Sequence, residues 1–267
     1  MISCLEYVND RKKFLNEQVA KFKSQPCLAV IQVGANQASN VYVRNKKKVC
    51  EEVGIRFIHV TLPENVPESI LIEQIRTLNN KDDVHGIIVQ LPLPEHINIQ
   101  LVTNTISAKK DVDGFKVNSL FKPCTPKGII DWMKYNHIDL VGKVVCVIGR
   151  SDIVGRPLVK LLDAEHSTII WCNSKTKDIR KYTKNADIIV SAIGRANYFD
   201  ESYFSEGQII VDVGINRNEN NKLCGDVHED VSNLVMYKTP VPNGVGKLTV
   251  CSLIDNVVEA YKLNGGV

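Results

Sequence analysis

Short apolar runs rich in β-branched residues recur along this chain, each followed by a longer stretch of helical spacing, and this alternation restricts the fold more than any other feature. Residues 26–33 (Pro-Cys-Leu-Ala-Val-Ile-Gln-Val) read as a buried strand ending at Gly34. A helix is expected over 38–53, with Ser39 as N-cap and Gly54 as its stop. Strand 55–61, helix 67–79, strand 86–89 and a short helix near 98–107 follow. A turn-rich stretch from Lys110 to Pro123 then breaks the rhythm. After a helix near 126–136 comes a second run: strand 143–148, helix 154–165, strand 167–172, helix 176–184, strand 187–191 and strand 208–213. Residues 252–264 read as a closing helix. Continuously apolar strands separated by helices need cover on both faces, which is the pattern of a largely parallel α/β sheet. The expected fold class is therefore α/β, in two domains with a boundary near 115–125. The last helix is expected to return to the first domain, giving 1–121 plus 252–267 and 122–251.

A chain of 267 residues can bury a substantial core. With 33 basic and 30 acidic residues the net charge is only +3, which points to no nucleic acid and no membrane as a main partner. No apolar run is long enough to span a bilayer. The opening Met-Ile-Ser-Cys-Leu-Glu has neither a secretory apolar region nor the Arg/Ser-rich look of a transit peptide, so a cytoplasmic protein is expected. The eight cysteines form no Cys-x-x-Cys pair, and several lie in strand-like runs where a thiol acts as a small hydrophobe. Free thiols in a reducing compartment, with no metal site, are the expectation.

The strand Val144–Ile148 runs directly into Gly149-Arg150-Ser151-Asp152-Ile153-Val154-Gly155-Arg156-Pro157. A strand, a glycine turn and a helix starting near Val154 would present backbone N–H groups to an anion such as a pyrophosphate. Gly149 suits the tight turn, and Gly155 suits close packing of helix on strand. The spacing is not Gly-x-Gly-x-x-Gly, and an ordinary strand–helix turn explains it equally well on its own. An NAD-binding unit usually has a carboxylate near the end of the next strand to hold the ribose 2′-hydroxyl. Here that strand ends in Asn173-Ser174-Lys175-Thr176, with no acid. Arg150, Ser174 and Lys175 together suit a 2′-phosphate, and NADP is the expected cofactor.

Tyr42 and Lys46 stand at i, i+4 on one helix face. Tyr-x-x-x-Lys is also the catalytic pair of the short-chain dehydrogenases, but there it follows the glycine loop. Here it precedes that loop, which excludes the reading by chain order. Alone, Lys46 in the run Lys46-Lys47-Lys48 reads as a solvated charge. Its company changes that: Gly86-Ile87-Ile88-Val89-Gln90-Leu91-Pro92-Leu93-Pro94, Lys110-Asp111-Val112-Asp113-Gly114-Phe115, and Pro123-Cys124-Thr125-Pro126 follow in order. Then come the glycine loop, Ile210-Val211-Asp212-Val213-Gly214-Ile215-Asn216, Gly225-Asp226-Val227 and Thr239-Pro240-Val241-Pro242. Along nearly its whole length the chain resembles the bifunctional methylenetetrahydrofolate dehydrogenase/methenyltetrahydrofolate cyclohydrolase family.

The resemblance implies a folate-binding catalytic domain, a Rossmann-type dinucleotide-binding domain and an interdomain cleft. It implies oxidation of 5,10-methylenetetrahydrofolate to the methenyl cation with NADP, then hydrolysis to 10-formyltetrahydrofolate. By position it makes Lys46 the catalytic lysine, Tyr42 a neighbour of the pterin and aminobenzoate, Gln90 the lysine's partner and Asp113 the pterin's carboxylate. Gly149, Arg150, Ser151, Ser174 and Ile215 match the dinucleotide contacts. A homodimer is implied as well. Hydrolysis of an amidinium-like cation needs a group that takes a proton from water and returns it to the leaving amine. Arg44, Lys47, Lys48 and desolvation would favour a neutral amine at Lys46. A dehydrogenase with weak hydrolysis, or a non-catalytic folate or nucleotide binder, are the alternatives. Two departures from the family pattern stand out. The stretch between Phe115 and Pro123 is short, and the late motif reads Asn243-Gly244-Val245-Gly246-Lys247.

Overall fold

Seven consecutive buried residues, Cys27–Val33, form β1 at the centre of a parallel sheet. The computed structural model describes residues 2–265. It divides into two units: Asn9–Cys124 with the residues from Val250 on, and the residues up to Val8 with Thr125–Thr249. In the first unit β1 lies between β2 (Arg56–Leu62) and β3 (Gly86–Val89). Because side chains alternate across a strand, β1 feeds two cores. Leu28 and Val30 pack with Leu15 of α1 (Cys4–Val19), Val43 and Cys50 of α2 (Gln37–Val53) and Ile254 and Val257 of the last helix. Ala29 and Ile31 face the other way, onto Leu71 and Ile75 of α3 (Glu68–Asn79) and Val102 of α4 (Ile99–Thr105). This two-sided cover is matched by apolar residues along β1 except buried Gln32, whose Nε2 donates to Asn40 Oδ1 at 2.7 Å.

Local chemistry sets where the helices start and stop. Asn36, not Ser39, caps α2: its Oδ1 accepts from the Ser39 N–H at 3.1 Å, which frees the Ser39 hydroxyl to donate to the Leu91 carbonyl at 3.4 Å. Gly54, at φ 87°, ends α2 in the left-handed conformation that favours glycine. Helix α1 has no counterpart in the sequence reading, although Cys4, Tyr7, Val8, Leu15 and Val19 are buried at helical spacing.

The loop from Val112 to Lys122 is gathered at its base by one amide. Asn256 Nδ2 donates to the Val112 carbonyl at 2.8 Å and to the Lys122 carbonyl at 3.0 Å, with Asn256 fully buried. At Gly114, φ is 71° and a Cβ would lie 2.7 Å from Lys122 and Pro123 backbone atoms, so the crossing tolerates no side chain.

In the second unit α5 (Cys124–Tyr135) precedes β4 (Val144–Ile148), α6 (Gly155–Ala164), β5 (Thr168–Cys172), α7 (Arg180–Thr183), β6 (Ile188–Ser191) and β7 (Ile209–Asp212). A short antiparallel ribbon, β8 (Asn216–Arg217) and β9 (Leu223–Cys224), leads to β10 (Tyr237–Lys238) and α8 (Val245–Leu263). The sheet order is β10–β7–β6–β4–β5, all parallel. The chain leaves β4 for β5 on one side and then returns to β6 on the other, so the order reverses at β4, where such sheets bind ligands. Cys146, Ile148, Ile189, Ile210 and Phe199 fill one side of its core.

Three expectations change here. Residues up to Val8, expected with the first run, group with the second unit: Ser3 donates from its N–H to Asn136 Oδ1 at 3.1 Å, and Trp132 Nε1 donates to the Ser3 carbonyl at 3.2 Å. The helix expected over 176–184 shrinks to α7, because Asn173 and Thr176 close a turn on each other and Asp178 sits at φ 39°. The last helix starts at Val245, seven residues before the expected 252. Among the described residues no helix is long and apolar enough to cross a membrane.

Replacing Asn256 with Ala removes both bonds of the clamp and is expected to lower stability by about 2 kcal/mol. The midpoint of urea unfolding measures it, and an unchanged midpoint refutes the clamp.

Candidate active site

In the first unit the sequence-identified residues meet at the C-terminal ends of β1 and β3. Gln90 extends the ladder by one residue, its N–H donating to the Ile31 carbonyl at 2.8 Å. Its side-chain Nε2 donates to the adjacent Leu91 carbonyl at 2.7 Å. That fixes the amide and leaves Oε1 to accept from Lys46 Nζ at 3.0 Å. Lys46 is half-buried on α2. One turn earlier stands half-buried Tyr42, whose phenol is pushed up by loss of hydration. A further turn back is Ser39, joined to Leu91. The 39, 42, 46 face of α2 therefore looks onto the end of β3.

Lys47 and Lys48 do not crowd Lys46 as the sequence suggested. Lys47 lies 3.8 Å from Glu51 and Lys48 3.9 Å from Glu52, both exposed i,i+4 pairs whose carboxylates offset their charge. Lys12 shares Glu52 at 2.8 Å.

Asp113 follows the bridge between Ile87 and Asp111. Its residue keeps a partly open face, yet protein surrounds the carboxyl closely enough for dehydration to dominate. Burial pushes Asp113 above the ordinary carboxylate range; the nearby Lys46 ammonium pulls it down, Asp111 pushes it up, and the Cys124 thiol pulls it down. The turn itself belongs to Asp111, whose Oδ2 accepts from the Lys116 N–H at 2.8 Å while its carbonyl accepts from the Gly114 N–H at 3.0 Å. Asp113 is thus free of the Asx-turn duty that a simple reading assigns it. Leu91, Leu93, Val102, Ile106 and Phe115 line a cleft with Asp113. Thr103 and Asp111 also line it, so its apolar walls enclose two carboxylates. A broader hollow lined by Asn16, Phe22, Ser24 and Gly54 gathers residues that precede β1 and β2, away from these side chains.

In the second unit the glycine loop closes as expected. Gly149, at φ 123°, donates from its N–H to the Cys172 carbonyl at 3.1 Å, and a Cβ there would collide with the Ala192 carbonyl. A Cβ on Gly155 would collide with the Gly149 carbonyl. Ser151 starts α6: its Oγ accepts from Val154 and Gly155 N–H at 3.2 and 3.4 Å, and its carbonyl accepts from the Arg156 N–H at 3.0 Å. Those three donors are engaged, so an anion here meets the N–H groups of the loop before them.

The sequence reading missed Trp171. Its Nε1 donates to the Gly149 carbonyl at 2.8 Å, and its ring carries the Arg150 guanidinium at 4.2 Å and that of Arg156 at 5.7 Å. Arg156 is also held by Asp152 at 2.7 Å. A tryptophan one residue from the end of the strand that precedes Asn173 was the available signal. Exposed Ser174 and Lys175 sit on the turn after β5, where Lys175 N–H donates to Asn173 Oδ1 at 2.9 Å. Ile215, 45% exposed, follows Gly214 at the end of β7. Asn243 takes a left-handed φ of 77°, and Lys247 is exposed in the first turn of α8.

A family model of the catalytic domain of tetrahydrofolate dehydrogenase/cyclohydrolase matches residues 2–113, and one of its NAD(P)-binding domain matches residues 123–265. The bifunctional protein FolD of Lysinibacillus sphaericus is 45% identical over 257 residues, 91% of this chain and 90% of that protein. The crystal structure of FolD methylenetetrahydrofolate dehydrogenase/cyclohydrolase from Campylobacter jejuni matches with a TM-score of 0.94 at 42% identity, over 98% of each chain. The Trypanosoma brucei enzyme, complexed with NADP cofactor and inhibitor, matches with a TM-score of 0.92 at 32% identity over 98% of this chain and 97% of that one. The chain belongs to the tetrahydrofolate dehydrogenase/cyclohydrolase family.

Proposed function

We propose that this protein oxidises 5,10-methylenetetrahydrofolate to the methenyl cation with NADP and then hydrolyses it to 10-formyltetrahydrofolate, Lys46 serving the hydrolytic step. The hydrogen bond from Lys46 Nζ to Gln90 Oε1 carries this reading. Gln90 holds the amine through a neutral oxygen, which orients it without adding a negative charge. As water attacks the bridging carbon and a C–O bond forms, neutral Lys46 Nζ takes the water proton. It returns the proton to N5 as the C–N5 bond breaks and the C=O bond forms, and the remaining hydroxyl proton passes to solvent. Asp113, ionised, accepts from the pterin amino group and ring N–H, and Tyr42 lies against the pterin and aminobenzoate.

The nucleotide residues fit NADP. Gly149 and Gly155 lack side chains where the loop crosses itself and Ala192, Arg150 lies over Trp171, and no carboxylate ends β5 to repel a 2′-phosphate. Bound there, NADP supplies the hydride acceptor. Arg150 and Ser174 hold the 2′-phosphate, Ser151 and the loop N–H groups hold the pyrophosphate, and Ile215 meets the nicotinamide end. Hydride transfer asks alignment of the chain, not an acid or base. A homodimer in the cytoplasm is part of the same reading, supported by the family; light scattering tests the dimer.

Lys46→Ala is expected to slow methenyl decay by about two orders of magnitude or more while hydride transfer persists. Following NADPH formation and methenyl decay separately checks this, and decay at the wild-type rate would show the role to be wrong. The raised Asp113 gives a pH signature. The folate edge needs the ionised carboxylate, so kcat/KM falls as pH drops through a value above the ordinary carboxylate range. Asp113→Asn should lack that limb in a pH profile; a limb that survives assigns it elsewhere. Arg150→Gln is expected to weaken NADP by about tenfold and NAD little, read by calorimetric titration.

A further inference from the structure

Behind the loop that carries Ile215 lie two carboxylates that the mechanism does not use. Asp212 ends β7 at 1% exposure and Asp226 follows β9 at 0%. Asp212 is met by N–H donors and Asp226 by N–H donors and one hydroxyl, and no salt bridge to either is found among the described residues. Asp226 Oδ2 accepts from Ser191 Oγ at 2.9 Å and from the Ile193 N–H at 2.8 Å. Its Oδ1 accepts from the Arg195 N–H at 2.8 Å and from Asn216 Nδ2 at 3.0 Å. Asp212 Oδ1 accepts from the Gly214 and Asp226 N–H groups at 3.1 and 2.9 Å, and Oδ2 from the Val227 N–H at 2.9 Å. A Cβ on Gly214 would strike the Asp226 carboxylate, and one on Gly225 would strike that of Asp212.

Three chain segments converge on this pair: 191–195 from the end of β6, 213–216 after β7, and 225–227 after β9 of the ribbon. Sheet strands are held by their own ladders and need no such anchor. The bonds go instead to the loops, on the edge where doubly wound sheets bind nucleotides. Keeping charge in such a place is costly. Burial pushes Asp212 up to about 6; donation from the Asp226 and Val227 N–H groups pulls it back, Asp226 pushes up, and Lys238 pulls down. Donors fixed on three loops offset that cost, and loops so fixed are ordered before a ligand arrives. The link from the carboxylates to the neighbour of Ile215 is Asn216 Nδ2.

We propose that Asp226 is a positioning residue for the cofactor, holding through Asn216 the loop on which Ile215 meets the nicotinamide end. This rests on the reading of Ile215 and Arg150 as dinucleotide contacts, and the test separates the two. NADP and 2′,5′-ADP are titrated calorimetrically into wild type, Asn216→Ala and Arg150→Gln. The second probe carries the 2′-phosphate and adenosine but no nicotinamide. Asn216→Ala is expected to raise the Kd for NADP about tenfold and leave that for 2′,5′-ADP within about twofold. Arg150→Gln should weaken both. Equal weakening of both probes by Asn216→Ala would mean that Asn216 merely stabilises the unit, and no weakening of either would mean that the loop needs no anchor; each overturns the proposal. If Arg150→Gln also left both probes unaffected, the nucleotide site itself would be wrongly placed.

Discussion

The arrangement of the site depends on one amide, Gln90, which holds the Lys46 amine in place without adding a negative charge. Gln90 spends its N–H side on the Leu91 carbonyl and so presents oxygen to Lys46. The orientation is fixed by the strand, because the Gln90 backbone continues the β1–β3 ladder. The buried β1 positions β3, β3 positions Gln90, and the face of α2 that begins at Ser39 brings Tyr42 and Lys46 to the same strand end. A shift of one residue in β3 would turn Gln90 to the other face of the sheet.

The surrounding charges support a division of labour. Lys47 and Lys48 are turned to Glu51 and Glu52, and Lys46 interacts with Asp113, which burial and Asp111 push toward neutrality while Lys46 opposes them. Under the proposed function, pterin recognition and proton transfer share one electrostatic neighbourhood. The nucleotide unit solves a different problem. Its glycine loop carries no side chain at Gly149 or Gly155, two arginines lie over Trp171, and its carboxylates Asp212 and Asp226 are buried.

What the sequence disclosed follows from how local each feature is. The buried, mostly apolar run at 27–33 and the positive-φ stop at Gly54 are decided within a few residues, and both are read directly. Asn36 capping α2 in place of Ser39 depends on which of two nearby side chains the turn reaches, and the sequence does not settle it. Helix α1 carries a legible apolar spacing that the reading passed over. The helix expected at 176–184 fails because the turn at Asn173–Thr176 and the φ of Asp178 override its propensity. At the site, Lys46, Gln90 and Asp113 were identified through the family resemblance, and the structure adds their geometry. Trp171 under Arg150, the turn duty of Asp111 and the Asp226–Asn216 anchor all rest on contacts distant in sequence, which no spacing rule discloses.

The central claim is that a neutral partner at position 90 keeps Lys46 available for proton transfer. Gln90→Glu tests it most directly, since it keeps the size and the acceptor but adds the charge that favours an ammonium. Methenyl hydrolysis is measured from pH 6 to 9 beside hydride transfer in the same variant. The account requires hydrolysis at neutral pH to fall by about two orders of magnitude, recovering toward high pH, while hydride transfer stays within about tenfold. Hydrolysis at the wild-type rate across that range would contradict it.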